Sequence, residues 1–221
     1  MTDRPILFSA PMVRALMSGT KTQTRRVVKF LGADVIDERD GRAWPWSPQH
    51  DEWVTCPYGS SGDRLWVRET WAAHWMYDDV PPTLARSTHP DDNQWFAADV
   101  EGTPGTHGCP AEGRRGKWRP SIHMPRWASR ITLDVTGVRV ERLNDISAAD
   151  AMAEGIRRWT KDGTLSKFGT AEPGDDGAPP WVDMPRSAVD GYRTLWESIN
   201  GAGSWTANPW VWVVSFRRAT T

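Results

Sequence analysis

Apolar positions along the chain fall mostly into short alternating runs, the signature of half-buried strands. Residues 64–70 alternate in this way after the turn pair Gly62-Asp63. Residues 129–142 form a longer run in which Ile131, Leu133 and Val135 alternate. Gly137 breaks the alternation, and Val138 and Val140 resume it in the opposite sense, so a bulge or corner is predicted there. Residues 22–28 are β-prone. Residues 210–216 are apolar on both faces and predict a central strand.

Three segments follow the helical period instead. The first covers residues 11–18, with Ser9 placed to cap it, Pro11 in the first turn and Gly19 past the end; Met12, Ala15 and Leu16 form its apolar face. Ser147 to Asp150 reads as a capping box with Asp in place of Glu, opening a short helix that stops at Gly155. Ser187 caps a third helix. There Val189, Tyr192, Leu195, Trp196 and Ile199 recur at helical spacing before Gly201. Pro and Gly cluster at residues 40–48, 78–116 and 169–180, which predicts loops. The expected fold is α+β: a small, mainly β barrel with a few helices. It forms a single domain over residues 1–221, with insertions at 32–55, 76–118 and 160–186.

Composition changes this picture in two ways. Leu, Ile, Val and Phe make up only 37 of 221 residues, about 17%, but 15 Trp supply the missing core volume. Most of these indoles are expected in the core, with some free to stack a flat ligand such as a nucleobase. The formal net charge is −1, which argues against a protein held to nucleic acid by bulk charge. Mean hydropathy is −0.59, and no apolar run approaches the ~20 residues of a membrane span. The run Ile6 to Phe8 is too short for a signal peptide, so a cytoplasmic location and no membrane partner are expected. The two cysteines, Cys56 and Cys109, have no CxxC spacing. A Cys₂His₂ site with His50 and His107 is disfavoured, and neither metal nor cofactor is expected.

The densest polar cluster is Gly19-Thr20-Lys21-Thr22-Gln23-Thr24-Arg25-Arg26. One reading is a solvated edge strand rich in Thr. The other is a site for a polar or anionic ligand. On a strand, Thr22, Thr24 and Arg26 share a face, and Lys21 joins them only if the backbone turns after Gly19.

This cluster resembles the first motif of the ASCH domain, a PUA-like β-barrel. Gly62-Asp-Arg-Leu-Trp-Val-Arg-Glu69 resembles its second motif. The stretch from Ile146 to Gly155 resembles the third, and that from Pro209 to Phe216 the closing strand. The four segments cover less than half the chain and stand in family order. The segments containing CPYG and WRPSIHMPRWASRI resemble the larger ASCH proteins of phages and prophages, which would place the protein in a host cytoplasm. The resemblance implies nucleoside or nucleic-acid chemistry. Small ASCH proteins include amidohydrolases that deacetylate N4-acetylcytidine with a lysine, a threonine three residues later and a distant glutamate. By that pattern the catalytic candidates are Lys21, Thr24 and Glu154. Other members are ribonucleases or readers of RNA and modified bases.

Physical chemistry constrains the roles. A threonine hydroxyl needs a base, and Lys21 serves if burial and the nearby Arg25 and Arg26 lower its proton affinity. Glu154 would handle the leaving amine or a water, and Arg26 or a backbone N–H would hold the oxyanion. A plain carboxylate on the surface of a helix end is the alternative for Glu154. A second group of cations and rings, Arg68, Glu69, Trp71, Met124, Arg126, Trp127 and Arg130, forms a candidate base-stacking and phosphate site. Amphipathic strand packing explains the same residues. Asn200 and Asn208 are candidates for reading a base edge. The expected partner is a nucleoside or single-stranded nucleic acid.

Overall fold

The computed structural model describes residues 2–30, 35–86, 94–99, 114–160, 163–170 and 180–219. β1, Asp3–Leu7, leads into α1, Ala10–Met17, and β2, Gln23–Val27. A meander follows in β3, Val35–Arg39, β4, Arg42–Ser47, and β5, Glu52–Trp53. Next come β6, Arg64–Arg68, β7, Trp71–Ala72, β8, Trp95–Phe96, and the long β9, Thr132–Arg142. The chain ends through α2, Ala148–Ala153, β10, Arg157–Thr160, β11, Ser166–Gly169, α3, Ala188–Asn200, and β12, Trp210–Arg218. The result is a mainly β, α+β fold.

Five strands form the main sheet in the order β1-β6-β9-β12-β2. β1 and β6 are parallel, and the other neighbours antiparallel. Among the described residues no pairing joins β1 to β2 to close the row into a barrel. β12 lies between β9 and β2, as its two apolar faces predict. Trp212, Val214 and Phe216 pack into one core with Val13 and Leu16 of α1. Val211 and Val213 face the opposite way, into a second core with Ala151 of α2 and Tyr192 and Trp196 of α3. The irregularity expected near Gly137 is present. Ser215 pairs with Gly137 and Phe216 with Val135, which leaves Thr136 as the extra residue of a bulge.

Two expectations need correction. Ser9 holds the cap position of α1, but its side chain makes no capping hydrogen bond. Residues 40–48 are not a loop. Asp40 and Gly41, at φ 52° and 73°, make the tight turn of the β3–β4 hairpin, and Arg42–Ser47 is a strand. Trp44 from that hairpin meets Trp212 edge-on at 5.1 Å, so the segment packs on the core.

The helix ends behave as expected. Ser147 and Ser187 accept hydrogen bonds from the backbone N–H of Asp150 and Asp190. Gly155 follows α2 at φ +100°, and a Cβ there would lie 3.3 Å from that of Ala15 and 3.6 Å from that of Lys21. Conformation and space therefore both require glycine. Gly155→Ala should lower unfolding free energy by about 2 kcal/mol in urea. Gly137→Ala, with nothing within 4 Å of the new methyl, should change it by less than about 0.5 kcal/mol.

Candidate functional site

The site begins where α1 stops. Gly19 adopts φ +74° and turns the chain, and the backbone N–H groups of Thr20 and Lys21 both donate to the Ala15 carbonyl. Lys21 thereby meets the end of α2 in an isolated antiparallel bridge with Glu154, and Thr22 N–H donates to the Ala153 carbonyl. The Lys21 Nζ donates to the Glu154 backbone oxygen at 2.8 Å and to its Oε2 at 2.7 Å. A cation on the last carbonyls of a helix is also favoured by the helix dipole. Both side chains are buried, at 0% and 2% exposure, so Glu154 is not a surface carboxylate. After the turn Lys21 shares the Phe8 side of β2 with Arg26. Its Nζ is 5.6 Å from the Phe8 ring centre, and the Arg26 guanidinium is 5.4 Å from the same ring. Thr22 falls outside β2 and is exposed.

Arg25 takes the other face of β2. It donates to Glu154 Oε1 at 3.3 Å and to Gln23 Oε1 at 2.8 Å. It also pairs with Glu141 at 2.5 Å and Asp150 at 3.3 Å. Arg139 closes the network on Glu141 at 2.9 Å and Asp150 at 3.1 Å. Three cations therefore face three carboxylates with no formal charge left over. Burial lowers the proton affinity of Lys21 below the ordinary lysine value, although Glu154 opposes the shift. Burial also works against the charge of Arg25, but its carboxylate neighbours outweigh it and hold the guanidinium protonated.

Above this network lies a cleft of about 60 Å³ lined by Met12, Thr24–Val27 of β2, Glu154 and the Tyr192–Asn200 face of α3. Thr24 and Glu154 both line it, with Lys21 directly behind Glu154. Arg26 lines it as well, held by a 2.6 Å bond to the Leu7 carbonyl, and its Nε–H is buried without a partner. One indole, Trp196, reaches the cleft, rather than several.

The structure therefore sets Glu154, from a remote stretch, at one cleft with Thr24 and Arg26, and bonds Lys21 to Glu154 behind it. It places the second predicted group elsewhere. None of Arg68, Glu69, Trp71, Trp127 or Arg130 lines the cleft. Arg130 grips buried Glu69 with two bonds of 2.9 and 3.0 Å and reaches Asp99 at 2.8 Å. Burial raises the Glu69 proton affinity, with Arg130 opposing. Arg68 donates to the Met124 carbonyl, and Trp71 and Trp127 meet edge-on at 5.6 Å inside a small apolar cluster. Asn208, at φ +42°, accepts from the Asn144 N–H and anchors a turn, whereas Asn200 stands at the cleft. Cys56 is buried and its thiol is pushed up to about 11 by burial; Cys109 and His107 lie outside the described residues. No cluster of three potential metal ligands occurs among the described residues, and no helix among them is long and apolar enough to cross a membrane. Tyr192 is the polar one among several cleft residues, with Met12, Leu195, Trp196 and Ile199, that sequence reasoning assigned only to packing. Its helical spacing gave no sign that it would face Glu154.

Comparison of the chain with protein-family models, with curated proteins and with solved structures finds no match.

Removing one partner of the buried pair should be costly. Glu154→Gln leaves Lys21 without its carboxylate and should destabilise the protein by about 3 kcal/mol, while Lys21→Met with Glu154→Leu should regain most of that loss. Native Lys21 releases its proton at lower pH than in the unfolded chain. Between those two values the unfolded state binds the extra proton, so stability contributed by this group rises with pH. Urea titrations below pH 10 should show that rise in the wild type and its loss in Lys21→Met.

Proposed function

We propose that the protein is an amidohydrolase that removes an acyl group from an N-acylated nucleoside or base of the N4-acetylcytidine type. One observation carries this reading: Glu154, bonded at 2.7 Å to the buried Lys21 behind it, lines the same cleft as Thr24. The fold alone does not require such a pair. Buried ion pairs cost desolvation, and packed apolar residues often serve stability as well or better. An ionisable group perturbed by burial and a specific charge partner beside a cleft is a candidate for chemistry. The base would rest at the mouth of the cleft against Val27, Leu195 and Ile199, where apolar side chains favour a flat ring.

The chemistry balances within these residues. The pair holds one proton, which the short contact lets pass between nitrogen and oxygen. With that proton on Glu154, the Lys21 amine takes the Thr24 hydroxyl proton as the Thr24 oxygen bonds to the acyl carbon. Arg26 offers positive charge to the developing oxyanion. Glu154 gives its proton to the exocyclic nitrogen as the C–N bond breaks and the free amine departs. Water then attacks the threonyl ester and gives a proton back to Glu154. The Thr24 oxygen regains its own from Lys21 as the carboxylic acid leaves.

A groove for polymeric RNA has less support, because Arg68, Arg119 and Arg130 already bond internal acceptors. Chromatography of wild-type protein with N4-acetylcytidine should show release of cytidine. Lys21→Ala, Thr24→Ala and Glu154→Gln should each slow it by about 1,000-fold. An inert wild type would rule out this substrate. Cleavage of labelled RNA that disappears in Lys21→Ala would instead favour a ribonuclease.

A further inference from the structure

Tyr192 is the buried hydroxyl that this mechanism leaves unused. It sits in the first half of α3 with its residue 3% exposed. Three neighbours fix its ring: Trp196 at 6.2 Å, Trp205 edge-on at 6.3 Å, and the Arg25 guanidinium at 5.9 Å. Such packing leaves the ring one orientation. A buried phenol normally finds a hydrogen-bond partner. The Tyr192 hydroxyl makes no hydrogen bond among the described residues, and the residue lines the same cleft as Thr24 and Glu154. Two other unpartnered groups belong to residues of this cleft, the Arg26 Nε–H and the Trp196 indole N–H, but both atoms are sealed from solvent. The cations of the network are engaged. Arg25 is shared among Glu141, Asp150, Glu154 and Gln23, and Lys21 is held by Glu154.

We propose that Tyr192 is a catalytic residue whose phenol donates a hydrogen bond to the acyl oxygen of the substrate, opposite Arg26. This inference rests on the amidohydrolase reading of the same cleft. The ligand class follows from what the site presents. A phenol and a guanidinium offer a hydrogen-bond donor and a positive charge to an oxygen acceptor, and the cleft is small, about 60 Å³, so a small acyl carbonyl suits it. The donor is also permanent. Burial raises the proton affinity of Tyr192 well above that of a free phenol, and Glu154 adds to the shift. The hydroxyl therefore stays protonated throughout the working range and gains strength as negative charge develops on the oxygen.

Two measurements test it. In the first, Tyr192→Phe removes one oxygen and keeps the ring among Trp196, Trp205 and Arg25. Hydrolysis of N4-acetylcytidine should lose about 100-fold in kcat, with KM changed less than about twofold and the melting temperature within about 2 °C. A kcat within threefold of wild type overturns the proposal. The second does not need turnover. Wild-type protein carrying [ζ-¹³C]tyrosine is titrated with acetamide and followed by NMR. The Tyr192 resonance, assigned by its absence from Tyr192→Phe, should shift and saturate, and acetamide should bind the variant more weakly. A resonance that does not move overturns the role of Tyr192 even if the wild type is active. A wild type that moves this resonance but cleaves no acylated nucleoside refutes the amidohydrolase reading and leaves Tyr192 as the donor of an acyl-binding site.

Discussion

The contact between the Lys21 ammonium and the Glu154 carboxylate ties together two stretches separated by more than half the chain. It forms because two helices end well. α1 stops at a left-handed Gly19, which turns Lys21 inward, and α2 stops at a left-handed Gly155, which leaves room for the lysine stem. Without either glycine the bridge between residues 21 and 154 would be displaced, and with it the wall between α3 and the edge strand β2. Local backbone chemistry thus positions a long-range ion pair.

Charge balance then sets what the cleft can do. Burying Lys21, Arg25 and their carboxylates is tolerable only because each is paired and hydrogen-bonded. The pairing is unequal, however. Arg25 is bound by three carboxylates and stays charged, whereas Lys21 has one and is pulled toward its neutral form by burial. One network therefore contains a cation held charged by its neighbours, Arg25, and one whose charge burial opposes, Lys21. Alternation along β2 enforces the division: Gln23 and Arg25 face the carboxylates, while Thr24 and Arg26 take the opposite face.

Where the sequence was legible, local rules governed the outcome. The double-sided apolar run at residues 210–216 announced a central strand, Gly137 announced a bulge, and Ser147, Ser187, Gly19 and Gly155 marked helix ends. The motif resemblance singled out Lys21, Thr24 and Glu154; Lys21 bonds Glu154, and Thr24 lines the same cleft as Glu154. Tertiary choices were not legible. Asp40-Gly41 looked like part of a loop because Pro45 and Pro48 obscured the hairpin pattern. Arg68, Glu69, Trp71, Trp127 and Arg130 have the composition of a base-binding surface, but Glu69 is buried and takes up Arg130. Tyr192 shares the spacing of core residues, and only the packing of α3 against β2 turns it toward the cleft.

The central claim is that Lys21 is at once buried and bound to Glu154, so its own titration is the direct test. NMR of the Lys21 side-chain Cε and Nζ signals should give a pKa below 10.5 in the wild type and a lower one still in Glu154→Gln, where burial remains and the attraction is gone. A value at or above 10.5, or one that Glu154→Gln leaves unmoved, would contradict the account.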